Sequence, residues 1–238
     1  MRKKLSLLLI FWTLLSQLAT AQKVTPELAR ADSAFVVGAY VPAYKLYRQV
    51  LRQQREASHR MLLRMAYVQE GLGHYPAALY YLSMAQARQP RLSTWRKMAA
   101  LARDRRLTGY PETWREDLLL TFRRYYYLGL QGLLIGAVVG GILLLARRRT
   151  VARGWWTAYG VYLVLIGVYL NLLGTERAAL VARPRAALMS GPSAGATWLT
   201  TATAGDRLIV QSQQDTWYRV QWQGQDAYIR VQDLLLVQ

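Results

Sequence analysis

The chain of 238 residues contains no cysteine. That absence excludes disulfides, thiolate metal ligands, a lipidated N-terminal cysteine and cysteine nucleophiles, and it suits a compartment where stray thiols would mispair. Histidine is nearly as scarce. His59 falls in a polar helical stretch and His74 in a turn, so both are expected at the surface, and neither belongs to a Ser-His-Asp or His-acid grouping. There is no Gly-x-x-x-x-Gly-Lys loop and no zinc-ligand spacing. No catalytic residue, cofactor or metal is therefore expected. Acids are also few, 13 against 31 Lys and Arg, for a formal charge of +18. This charge does not imply a nucleic-acid partner, because the excess is spread over the first half and around the apolar stretches. The tail after Thr175 carries six arginines against five acids, a net of +1. The basic residues are better matched to membrane topology, anionic lipid headgroups or an acidic protein partner.

What the chain does have is a pair of apolar stretches, 128–146 and 155–173, each close to the ~20 residues a helix needs to cross a hydrocarbon core. Neither holds a charge. Gln131, Thr157 and Asn171 are the polar exceptions and lie near the ends. Tyr125, Tyr126 and Tyr127 precede the first stretch, while Trp155, Trp156 and Tyr159 open the second, as aromatic belts at headgroup depth would. A buried helical hairpin in a soluble core is the alternative; residues apolar all round and bounded by basic clusters argue against it. Between them, residues 147–154 form a basic loop in which Arg147, Arg148, Arg149 and Arg153 meet no acid. By the positive-inside rule that loop is cytoplasmic and both chain ends are exported. Arg115, Arg123 and Arg124 in the juxtamembrane segment 114–127 weaken this bias, although Glu116 and Asp117 stand beside them.

Residues 1–21 read as a secretory signal peptide: basic Arg2, Lys3 and Lys4, an apolar run to Leu15, and Ala19-Thr20-Ala21 as the cleavage site. Cleaved or kept as an anchor, it exports the segment C-terminal to it. Within the first stretch, Gly132, Gly136 and Gly140 form a small-xxx-small ridge. Its partner is the second helix, a second copy of the chain or another membrane protein.

Residues 22–113 show apolar positions at helical spacing, with an internal repeat in which Gly38-Ala39-Tyr40-Val41-Pro42-Ala43 returns as Gly73-His74-Tyr75-Pro76-Ala77-Ala78. A period near 34 predicts stacked helix-turn-helix units, Gly38 and Gly73 supplying the turns. Ala78, Leu82, Ala85 and Pro90 match the small-large-small-proline order of the second helix of a tetratricopeptide repeat, and Ala43, Tyr47 and Val50 give the earlier copy. Trp95-x-x-Met98-Ala99-x-x-Ala102 opens a solitary closing helix over about 91–105. The segment resembles the tetratricopeptide family, with an unrelated helical bundle as the alternative. The resemblance implies a concave peptide-binding groove lined by Arg60, Leu63 and Tyr67, in which Arg60 would favour an acidic ligand.

After the apolar hairpin the texture changes to short β-branched runs between turn residues. Leu208-Ile209-Val210, Trp217 to Trp222 and Tyr228 to Val231 predict strands, with turns at Gln213-Gln214-Asp215 and Gln223-Gly224-Gln225. Several short strands in so small a segment predict a small all-β barrel. Residues 174–238 resemble a bacterial SH3-type domain through Leu188-Met189-Ser190-Gly191-Pro192-Ser193, Gly205 to Val210, Trp217-Tyr218-Arg219-Val220 and the run from Gly224 to Leu234. Tyr228 stands where that family has tryptophan. Trp217, Trp222 and Tyr228 are the aromatics for a groove, and strand alternation puts the two tryptophans on opposite faces, one of them in the core.

The order of parts resembles the aerotolerance protein E (Bat) family of Bacteroides-like bacteria. The fold expected is thus a multi-domain membrane protein: tetratricopeptide-like helices, two transmembrane helices and an SH3-like barrel. The resemblance implies a non-enzymatic adaptor in the bacterial inner membrane, two-pass with both terminal domains periplasmic, working beside von Willebrand A-type membrane proteins and a MoxR-type ATPase in envelope or oxidative-stress tolerance. A protein that senses or anchors to peptidoglycan through its SH3-type domain is the second expectation.

Overall fold

A computed structural model describes residues 26–53, 57–150, 152–171 and 177–237. The signal peptide, residues 22–25, Val151 and the segment 172–176 that would close the second apolar stretch lie outside the described residues. The N-terminal part is all-α and the C-terminal part all-β.

One unit, residues 1–56, contains the antiparallel pair α1 (Pro26–Val36) and α2 (Tyr40–Gln53). Ala31, Ala43, Tyr47 and Val50 are buried, and the Tyr47 hydroxyl donates to Asp32 Oδ1 at 2.6 Å, so the one polar atom carried inward is satisfied.

The second unit, residues 57–238, holds everything else. Helices α3 (His59–Gly71) and α4 (Tyr75–Arg88) form a hairpin, and α5 (Leu92–Asp104) packs on α4. Ser58 caps α3 by accepting from the Met61 amide at 3.1 Å. The turn backbone repeats at an offset of 35 residues, since Gly38 N→Phe35 O, Ala39 N→Ala34 O and Ala43 N→Ala39 O return as Gly73 N→Glu70 O, His74 N→Gln69 O and Ala78 N→His74 O. The small-large-small positions are the buried ones: Ala78, Leu82 and Ala85 on α4, and Trp95, Met98, Ala99 and Ala102 on α5. Small side chains let the axes approach and the large ones fill the space between them.

Helix α6 runs unbroken from Trp114 to Ala146, 33 residues or about 50 Å. Its segment Asp117–Ala146 is long and apolar enough to cross a membrane. Among the described residues it is one such helix, not the two expected. Helix α7 (Arg153–Asn171) is not such a helix over its described residues, where Trp155, Trp156, Thr157, Tyr159, Tyr162, Tyr169 and Asn171 dilute its aliphatic content, while Leu172 and Leu173 of the expected stretch lie outside the described residues. It nevertheless returns antiparallel along α6.

The all-β part is one antiparallel sheet of seven strands, order β3-β2-β6-β5-β4-β1-β7. The strands are β1 (Arg177–Val181), β2 (Ala186–Met189), β3 (Trp198–Ala202), β4 (Arg207–Gln214), β5 (Trp217–Trp222), β6 (Gln225–Arg230) and β7 (Leu234–Leu236). Strand β5 and the tight turn at Gln223-Gly224 match the sequence pattern, both turn residues taking positive φ as a two-residue hairpin loop favours. Ala179, Leu188, Leu208, Val220, Ala227 and Ile229, each at most 2% exposed, form the centre of the core.

Candidate functional site

Three surfaces carry the predicted residues, and a joint connects two of them. On α3, Arg60, Leu63 and Tyr67 keep helical spacing along one face, opposite the buried Met61, Leu62, Met65 and Ala66. Arg60 and Tyr67 are exposed and Leu63 is half-buried. Lys97 of α5 reaches Glu70 at the far end of α3 at 2.5 Å. His74 is exposed as expected, but His59 is half-buried with Nδ1 3.0 Å from the Ala85 carbonyl, because the start of α3 packs against the end of α4.

In the sheet, pairing groups the aromatics differently from a single groove. Trp222 lies on the core side with Tyr218 and Val220, whereas Trp217 shares the opposite face with Tyr228 through the pairs Trp217↔Arg230 and Arg219↔Tyr228. Trp217 is the more buried tryptophan, its indole covered by the Arg230 guanidinium 5.5 Å from the ring centre. Arg219 and Asp226 form an ion pair on this face. The hydrogen bond from Arg219 holds the Asp226 carboxyl below the usual carboxylate range, and the same bond raises Arg219.

The joint lies between the turn after α5 and the corner entering β4. The Tyr110 hydroxyl donates to the Gly205 carbonyl at 2.7 Å. Asp206 is 3% exposed and takes two backbone amides, Thr108 N on one oxygen and Thr203 N on the other, both at 2.7 Å. Arg207 N donates to the Thr108 carbonyl at 3.1 Å, so a strip of loop backbone extends the corner. The Arg207 guanidinium lies 5.2 Å from the centre of the Trp95 ring, and Trp95 Nε1 donates to the Pro111 carbonyl at 3.1 Å. Leu79 and Leu107 close on Gly205. A buried carboxylate satisfied by amides from both sides is a strong fastener, since losing either side leaves a charge unpaired in the interior. Burial raises the Tyr110 hydroxyl well above its ordinary value; Arg207 opposes this and Asp206 adds to it. Helices α3–α5 and the sheet are thus fastened within one unit. Sequence reasoning offered no sign of this, because its partners are separated by 95 and 98 residues and share no motif.

The apolar hairpin is zipped by tyrosines seated against glycines. A Cβ at Gly136 would lie 2.7 Å from the Tyr162 hydroxyl, one at Gly129 2.8 Å from that of Tyr169, and one at Gly141 2.8 Å from that of Tyr159. Gly140 meets the Tyr159 ring at ordinary distance and Gly132 meets nothing within 4 Å. Of the expected ridge, Gly136 and Gly140 therefore face α7 and Gly132 does not; Gly129 and Gly141 complete the seam. The hydroxyls fill the notches by donating to carbonyls of α6, Tyr159 to Ala137 and Tyr162 to Leu133, both at 2.7 Å. Arg147, Arg148, Arg149 and Arg153 are all exposed at the turn joining α6 to α7.

Among the described residues no group of three or more His, Asp or Glu is placed to hold a metal. Comparison of the chain with protein families, with curated proteins and with solved structures yields no match.

Proposed function

We propose that this chain is a non-enzymatic membrane adaptor that presents a helical face and a β-domain as one rigid platform outside the membrane. The carrying observation is the joint: Tyr110, Thr108 and Arg207 fasten helices α3–α5 to the sheet, an arrangement suited to an assembly surface. We read α1 to α5 as tetratricopeptide-like repeats, the sheet as an SH3-type barrel, and α6 with α7 as a two-pass hairpin of the inner membrane whose Arg147–Arg153 turn is cytoplasmic. Two features support the hairpin. Its aromatic hydroxyls are satisfied by backbone within the pair, and the exposed flank of α6 is aliphatic. The Bat-like resemblance makes a von Willebrand A-type membrane protein the expected partner in a periplasmic stress-tolerance complex.

Crosslinking in native membranes followed by affinity purification of the full chain tests this. Recovery of a von Willebrand A-type protein, lost when Asp206→Asn loosens the joint, is the expected result; recovery of none sinks the assignment. Trp217 and Tyr228 on one outer face of the sheet favour the second reading, peptidoglycan binding. Co-sedimentation of the chain with purified sacculi, abolished by Tyr228→Ala, would replace the pure adaptor with it.

A further inference from the structure

The turn between α6 and α7 has a charge that nothing in the hairpin can balance. No Asp or Glu occurs between Asp117 and Glu176. Asp117 lies thirty residues before Arg147 on one continuous helix, so about 45 Å away, and the length of α7, about 28 Å, separates Arg153 from the other end. Both distances are several times the Debye length of about 8 Å at physiological salt. Among the described residues the ion pairs Arg96–Asp117, Lys97–Glu70, Arg103–Glu112, Arg183–Asp233 and Arg219–Asp226 leave these four arginines out. Helix termini do not balance them either: the end of α6 offers roughly −0.5 charge and the start of α7 roughly +0.5, which cancel.

Backbone bonds shape the start of the turn, residues 147–150. Thr150 donates both its amide (2.9 Å) and its hydroxyl (3.1 Å) to the Arg147 carbonyl, and Arg147 N closes the last turn of α6 on Leu143. Trp155 and Trp156, 66% and 41% exposed, come directly after it, amphipathic rings one turn inside the cationic tip. A guanidinium grips a phosphodiester through two parallel N–H bonds, and indoles prefer the level just beneath it.

We infer that Arg147, Arg148, Arg149 and Arg153, with Trp155 and Trp156 beneath them, form a binding site for the phosphodiester headgroups of acidic phospholipids. The inference rests on α6 and α7 lying in a membrane. It goes beyond topology, because the same charge that orients the hairpin also selects its annular lipid.

The test uses the purified full chain in a neutral detergent with equimolar phosphatidylglycerol and phosphatidylcholine, the lipid retained being counted by native mass spectrometry. Phosphatidylglycerol should be preferred by on the order of tenfold or more. The preference should collapse toward parity in the variant R147Q/R148Q/R149Q/R153Q and survive, weakened, in the corresponding lysine variant. Equal preference in the glutamine variant, or displacement of the lipid by excess glycerol phosphate, overturns the site. A separate arm checks the membrane reading. Thr150→Cys, the single thiol in a cysteine-free chain, should react with an impermeant maleimide only after the inner membrane is opened. Labelling in spheroplasts with sealed membranes would overturn the cytoplasmic placement of the turn, whatever the lipid result.

Discussion

Tyr126 and Tyr169 hold each other reciprocally: their rings stack 4.9 Å apart and 3° from parallel, and each hydroxyl lies 3.2 Å from the backbone carbonyl of the other residue. Phe122 sets its edge against both. This clasp closes the open end of the α6–α7 hairpin, away from the turn that joins the two helices. Replacing both tyrosines with phenylalanine keeps the stack and removes two interhelical hydrogen bonds, each worth about 0.6–1.7 kcal/mol in an apolar setting. Thermal unfolding of the purified chain in detergent should show the loss, and replacement by alanine should cost more.

Glycine position along α6 makes a sharper contrast. Gly136→Leu drives a side chain into the Tyr162 hydroxyl and breaks its bond to Leu133, whereas Gly132→Leu enters open space. The first should destabilise the hairpin by about 1–3 kcal/mol and reduce α6–α7 disulfide crosslinking between engineered cysteines. The second should leave both measurements unchanged, and equal effects would refute the seam.

At the joint, a Cβ on Gly109 would collide with the Arg207 backbone, while one on Gly224 meets nothing, although both residues have positive φ. Gly224→Ala should therefore cost only the backbone strain, of order 1 kcal/mol, and Gly109→Ala clearly more. Limited proteolysis should then cut the 105–112 loop in the Gly109 variant alone.

Tyr110 sets an alkaline limit. Its folded value is raised above the unfolded value of about 10, so its contribution is fully present below that pH and is lost as pH rises toward the folded value. Chemical denaturation across that window should show a falling midpoint, and Tyr110→Phe should flatten the fall. At the acid end, the lowered Asp226 contributes fully above its unfolded value of about 4 and loses that contribution as pH falls toward the lower folded value, a loss that should disappear with Arg219→Gln.

The legible parts of this fold are those whose physics is local. Alternation and a two-residue turn give β5 and its hairpin, and the alanine and tryptophan spacing gives the buried faces of α4 and α5. Strands β1 and β7 lack such a signal, being short and paired mainly with each other and β4 across long separations. The glycine ridge was legible as composition but not as register, since which glycines meet a partner depends on where the tyrosines of α7 fall. Over the described residues of α7, tyrosines bonded to α6 lower the apolarity that the length of the stretch suggests.

Helix α6 has no break between the Thr113 cap and Arg147. Near its outer end it is tied to the platform by Arg96 to Asp117, with Arg103 to Glu112 fixing the segment just before it. A rod of about 50 Å turning about one end by 10° sweeps its other end through roughly 9 Å. On the proposed reading of α6 as a membrane span, a change in its tilt would reach the segment at Thr113 as a displacement of the platform tied there.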